Sequence, residues 1–102
     1  MTDGCGAPAQ TATLPESVDL TKETVIAGTV TADGNPVGGA YVRLLDGTGE
    51  FTAEVVTSDA GAFRFFAAPG AWTVRALSRS GTGETPVTAE IGLNDVAVAV
   101  AR

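Results

Sequence analysis

The 102-residue chain contains no histidine. That absence removes the usual general base at neutral pH, the usual activating partner of a serine or cysteine nucleophile, and the commonest transition-metal ligand. It has one cysteine, Cys5. A single thiol forms neither an intramolecular disulfide nor a zinc cluster. Basic residues are scarce, six against twelve acids, for a net charge of −6. Such a balance repels polyanions, so nucleic acid is not an expected partner, and anionic membrane surfaces are disfavoured. No run approaches the roughly 18 apolar residues of a membrane span. The first residues lack the basic and apolar regions of a secretory signal, and "DGC" lacks the apolar stretch of a lipoprotein signal. With Met1 read as a true start, the expected location is the cytoplasm, where a free thiol stays reduced. No catalytic residue, metal or cofactor is expected.

Hydrophobic residues make up 44% of the chain, with thirteen glycines and five prolines. That is the composition of one small globular domain with many turns. Val, Thr and Ala outnumber Leu and Met, which favours strands. Residues 1–22 read as a leader: "GCGAPAQTATLP" is small and turn-prone, with no period of two or 3.6. Within "ESVDLTKE", Val18 and Leu20 could pin its end to the domain.

Residues 23–102 alternate in short runs. "TVIAGTVTA" places Ile26, Gly28 and Val30 on one face. "AYVRLLD" turns Val42 and Leu44 inward and Tyr41, Arg43 and Leu45 outward. "EFTAEVVTS" turns Phe51, Ala53 and Val55 inward. "FRFFA" does so with Phe63 and Phe65, against Arg64 and Phe66. "WTVRALSR" sets Trp72, Val74 and Ala76 against Thr73, Arg75 and Leu77. After a loop at "SGTGETP", "VTAEI" offers Val87, Ala89 and Ile91. After a turn at "GLND", "VAVAVA" offers Val96, Val98 and Val100. The pattern predicts an all-β, seven-stranded antiparallel sandwich with one shared core. A buried Trp72 would need an acceptor for its indole N–H.

"VIAGTVTADGNPVGGAYVRLLD", the "SDAGAF" turn and "PGAWTV" resemble the transthyretin-like, or carboxypeptidase regulatory-like, superfamily. That resemblance implies a Greek-key, prealbumin-like sandwich. The second, third, fifth and sixth runs would share one sheet; the first, fourth and seventh would share the other. Tyr41, Arg43 and Leu45 would then lie beside Thr73, Arg75 and Leu77. Over almost the whole chain, "CGAP", "LPESVDLTKETVIAG", "PVGGAYVRLLD", "GEFTAEVV" and "FRFFAAPGAWTVRAL" resemble a domain-of-unknown-function family from high-GC Gram-positive bacteria. Its association with rhodanese-like thiosulfate sulfurtransferases implies a role in sulfur metabolism.

Cys5 is the first candidate site. No cation lies near it in sequence to lower its pKa. Its two flanking glycines keep it reachable, which suits a passive acceptor of sulfane sulfur whose donor enzyme supplies the activated atom. The second candidate is an interaction face of Tyr41, Arg43, Arg75 and Leu77, an arginine and aromatic cluster suited to an acidic partner or an anion. The bland alternative is that outward arginines keep a sheet face soluble. Glu50, Glu54, Asp59, Glu84 and Glu90 read as solvated surface. The small residues Ala97, Ala99 and Ala101 leave room for a homodimer at the last strand. A carbohydrate- or small-ligand-binding domain would need Trp72 or Tyr41 exposed as a stacking platform. Two enzymatic relatives of the fold do not fit. Purine-pathway hydrolases use histidines and a "YRGS" ending, and intradiol dioxygenases ligate iron with Tyr and His.

Overall fold

The structure, a computed structural model, describes residues 20–101. Cys5 and Val18 lie outside the described residues. Eight strands follow: β1 (Thr24–Ala32), β2 (Asn35–Pro36), β3 (Tyr41–Leu45), β4 (Phe51–Val56), β5 (Ala62–Ala67), β6 (Gly70–Ser78), β7 (Gly81–Ala89) and β8 (Gly92–Ala99). One sheet has the order β4-β3-β6-β7. In the other, β1 carries β2 and β5 on antiparallel ladders and β8 on a parallel one. The division of strands between sheets is therefore the one the superfamily resemblance implies. The β1–β8 ladder is the one parallel pairing among the described strands, and the two-residue β2 is the additional strand.

The period-two pattern sets the core. Ile26, Val30, Phe63, Phe65, Val98 and Val100 from the β1 sheet meet Val42, Leu44, Val74, Ala76 and Ala89 from the β3 sheet. The Phe63 and Phe65 rings lie 6.0 Å apart, tilted by 56°. Burying each contributes about 1.5–3 kcal/mol. Two close backbone approaches need glycine. A Cβ on Gly28 would overlap the carbonyl oxygen of Val96 across the β1–β8 ladder and meet Phe63 Cζ at 3.1 Å. A Cβ on Gly83 would overlap the carbonyl oxygen of Ala99, where β7 and the end of β8 close one side of the sandwich.

Several expectations are corrected. "SGTGETP" is largely strand, because β6 and β7 form a nine-pair hairpin from Gly70↔Ala89 to Ser78↔Gly81. Pro86 is accommodated because β7 is the sheet's end strand. "GLND" opens β8 rather than forming a turn. A β-bulge between Leu44 and Leu45 pairs Leu45 with Phe51. The extra residue flips Phe51 to the outer face, where it is 62% exposed. Leu45 keeps its expected outward parity, in register with Thr73 of β6, but is buried there opposite Phe51. Ile91 is exposed instead of inward because β7 ends at Ala89. Trp72 is half-buried against the core, and its Nε1–H donates to the Ala68 carbonyl at 2.8 Å.

Candidate functional site

β3 and β6 are neighbours in the middle of their sheet, so their outward residues fall in rows. Arg43 pairs with Arg75 in register, and Tyr41 with Leu77. All four residues of the expected face thus come together in two adjacent rows. Tyr41 is 53% exposed.

The arginine row extends to the flanking strands. Arg43 pairs with Glu54 of β4, and Arg75 with Glu84 of β7. Arg43 Nε donates to Glu54 Oε2 at 2.8 Å, and Arg75 Nε donates to Glu84 Oε1 at 3.0 Å. Two like charges directly opposite would repel. The outer glutamates offset that repulsion and turn each guanidinium away from the other. The face is a stripe of negative, positive, positive and negative charge, so its centre is basic within an acidic chain. Each guanidinium has five N–H donors, and the Nε bond uses one of them. Reading each strand alone located the two arginines; it missed the two glutamates, whose role depends on cross-strand register. The row beside it is apolar at its centre, with Tyr41 and Leu77 between Val56 and Thr82.

Two polar clusters hold the frame of the site. Asp46, following β3, accepts hydrogen bonds at Oδ1 from Thr48 Oγ1 at 2.6 Å, Thr48 N at 2.8 Å and Glu50 N at 3.1 Å. The Thr48 hydroxyl first, then the Glu50, Thr48 and Gly49 amides, hold its carboxyl below the ordinary value. This fixes the β3–β4 turn, and with it the placement of Glu54 beside Arg43. At the other end of β3, the buried Thr57 hydroxyl accepts from Ala40 N at 2.9 Å and donates to the Val37 carbonyl at 2.7 Å.

Ala97 and Ala99 are exposed, yet part of the alanine edge already meets β7 of the same chain. Thr82 and Ala101 exchange backbone hydrogen bonds of 3.2 and 3.1 Å. Among the described residues, no group of three or more acidic, histidine or cysteine side chains is placed to hold a metal ion. No helix there is long and apolar enough to cross a membrane.

The fold is an all-β sandwich domain in which β3 and β6 gather Tyr41, Arg43, Arg75 and Leu77 in register on one sheet. The chain belongs to the family described as "Protein of unknown function (DUF1416)", whose model matches residues 5–100. It is 58% identical over 98 residues to the uncharacterized proteins Rv0814c and Rv3118 of Mycobacterium tuberculosis, covering 94% of this chain and 98% of each relative. It is 60% identical over 90 residues to an uncharacterized protein of Mycolicibacterium smegmatis, covering 86% of this chain and all of that one. Among solved structures, a DUF3823 family protein from Parabacteroides merdae superposes with a TM-score of 0.58 at 17% identity. That match covers 78% of this chain and 46% of the other, and it speaks to fold alone.

Proposed function

We propose that the protein is a non-enzymatic accessory of sulfur transfer in the cytoplasm. In this reading its sandwich docks a rhodanese-like thiosulfate sulfurtransferase through the Tyr41, Arg43, Arg75 and Leu77 face, and Cys5 accepts sulfane sulfur. The observation that carries the docking is the union of these four residues in two adjacent rows on a rigid sheet. Arginine and tyrosine are the side chains that most often anchor protein interfaces. The distribution of strands between the sheets supports a place in the transthyretin-like superfamily. The single glycine-flanked thiol supports the acceptor role. In the transfer, the Cys5 thiolate attacks the outer sulfur of the enzyme's persulfide. The persulfide S–S bond breaks, the enzyme's cysteine leaves as thiolate, and Cys5 becomes the persulfide, with no net oxidation.

Capture on an immobilised rhodanese-like enzyme from the same genome tests the docking. Wild type should be retained, Arg43→Glu and Arg75→Glu should not, and Cys5→Ser should still bind. Retention of both charge-reversed chains would remove the face from the reading. A second reading keeps the face and drops the thiol, making the protein a general interaction module. Binding without sulfur uptake by Cys5 would select it. Carbohydrate stacking on Trp72 is disfavoured by the half-buried ring and its engaged N–H.

A further inference from the structure

The outer face of the β1 sheet is built differently from the face just described. In register across β8, β1 and β5, one row reads Leu93, Val25 and Phe66, and the next reads Asp95, Ala27 and Arg64. Val25 is fully buried, while Leu93 and Phe66 are 51% and 55% exposed. Ile91, just before β8, is also largely exposed. Exposed aromatic and aliphatic residues clustered on one sheet face mark an interaction surface rather than scattered surface apolarity.

The arrangement of these rows specifies what covers them. A two-fold axis along β1, lying in the plane of contact, sets β8 of one copy over β5 of the other and keeps each row opposite itself. Leu93 then faces Phe66 of the second copy, and Asp95 faces its Arg64. Ala27 meets its own counterpart on the axis, where its small side chain permits close approach, while Val25 lies beneath, already covered within its own chain. Apolar meets apolar and acid meets base, twice over. Self-complementarity of this kind is what an isologous interface requires. Arg64 already takes part in an interaction within the chain; its guanidinium has five N–H donors with which to engage a further partner. We propose that the protein forms a two-fold dimer through this face, leaving the Tyr41, Arg43, Arg75 and Leu77 face of each copy outward.

Sedimentation of the full chain over a concentration series tests the proposal. Wild type should approach twice the monomer mass. Arg64→Asp and Asp95→Arg should each weaken the dimer at least about tenfold in Kd, and the double change should restore it, because each reversed charge then meets its new opposite. Leu93→Asp, on an outward position, should give a monomer with an unchanged circular dichroism spectrum. A wild type that stays monomeric at all concentrations overturns the proposal. So does a dimer indifferent to these changes, or a double variant that fails to recover.

Discussion

Arg43 and Arg75 lie opposite each other on neighbouring strands, and each directs its Nε to a glutamate on the far side, Glu54 at 2.8 Å and Glu84 at 3.0 Å. The relationship decides what the face can do. Both pairs are substantially solvent-exposed, and exposed pairs of this kind contribute about 0.2–1 kcal/mol each. The arginines are therefore minor contributors to folding. Reversing either should move the unfolding midpoint little and abolish partner capture. Chemical denaturation alongside the capture assay checks this. A collapse in stability would show that the row serves the fold.

Thr57 should matter more for stability than any residue of that row. Thr57→Val keeps the shape but strands the buried Ala40 N–H and the Val37 carbonyl, which its hydroxyl now joins. The expected loss is about 1–3 kcal/mol, with Thr57→Ser much milder. Urea unfolding of both variants measures it. Equal losses would point to packing around the threonine methyl instead.

Gly28 should not tolerate alanine. The new methyl would overlap the Val96 carbonyl oxygen, a backbone atom that cannot move without disturbing the β1–β8 ladder. Overpacking of this kind costs about 1–3 kcal/mol or more. At about 4–8 °C per kcal/mol for a domain of this size, melting should fall visibly. An unchanged melting temperature would mean that β8 does not pack against β1 at this point.

Asp46 should titrate below the ordinary value of 3.8, because hydrogen bonds to its carboxylate favour the charged form. A depressed folded-state pKa stabilises the fold above the unfolded-state value, and that contribution is lost as pH falls through the folded one. Asp46→Ala should therefore be less stable than wild type near neutrality, with the gap closing in strong acid. Carboxyl-carbon NMR titration and unfolding at two pH values measure both. A midpoint at or above the ordinary value would contradict the turn geometry.

Much of this fold was legible in the sequence because buried and exposed faces alternate with period two. Val42 and Leu44, Phe63 and Phe65, Val74 and Ala76, and Val98 and Val100 all read as core and all are. What escaped had specific causes. A bulge changes parity in the middle of the β3–β4 pairing, so Phe51 turns outward opposite Leu45, while Leu45 keeps the outward parity of Arg43 opposite Thr73 and is buried there. Gly81–Pro86 carries loop residues, yet an end strand hydrogen-bonded along one side accepts them. Asn94 looked like turn residue, whereas its Nδ2 donates to the Glu90 carbonyl at 2.8 Å and the Val25 carbonyl at 3.1 Å, tying the start of β8 to β1. The members of the proposed interaction face were legible, since Tyr41, Arg43, Arg75 and Leu77 share one parity and pair in register. Its charge stripe was not, because Glu54 and Glu84 enter through register between strands distant in sequence.

Intact-mass spectrometry tests the proposed function most directly. The full chain is incubated with the rhodanese-like enzyme and thiosulfate under non-reducing conditions, and Cys5→Ser is treated in parallel. Wild type should gain roughly 32 Da, one sulfur atom, removable by a thiol reductant, and Cys5→Ser should gain nothing. An unchanged wild-type mass, or the same gain in Cys5→Ser, would contradict the role of Cys5 as acceptor.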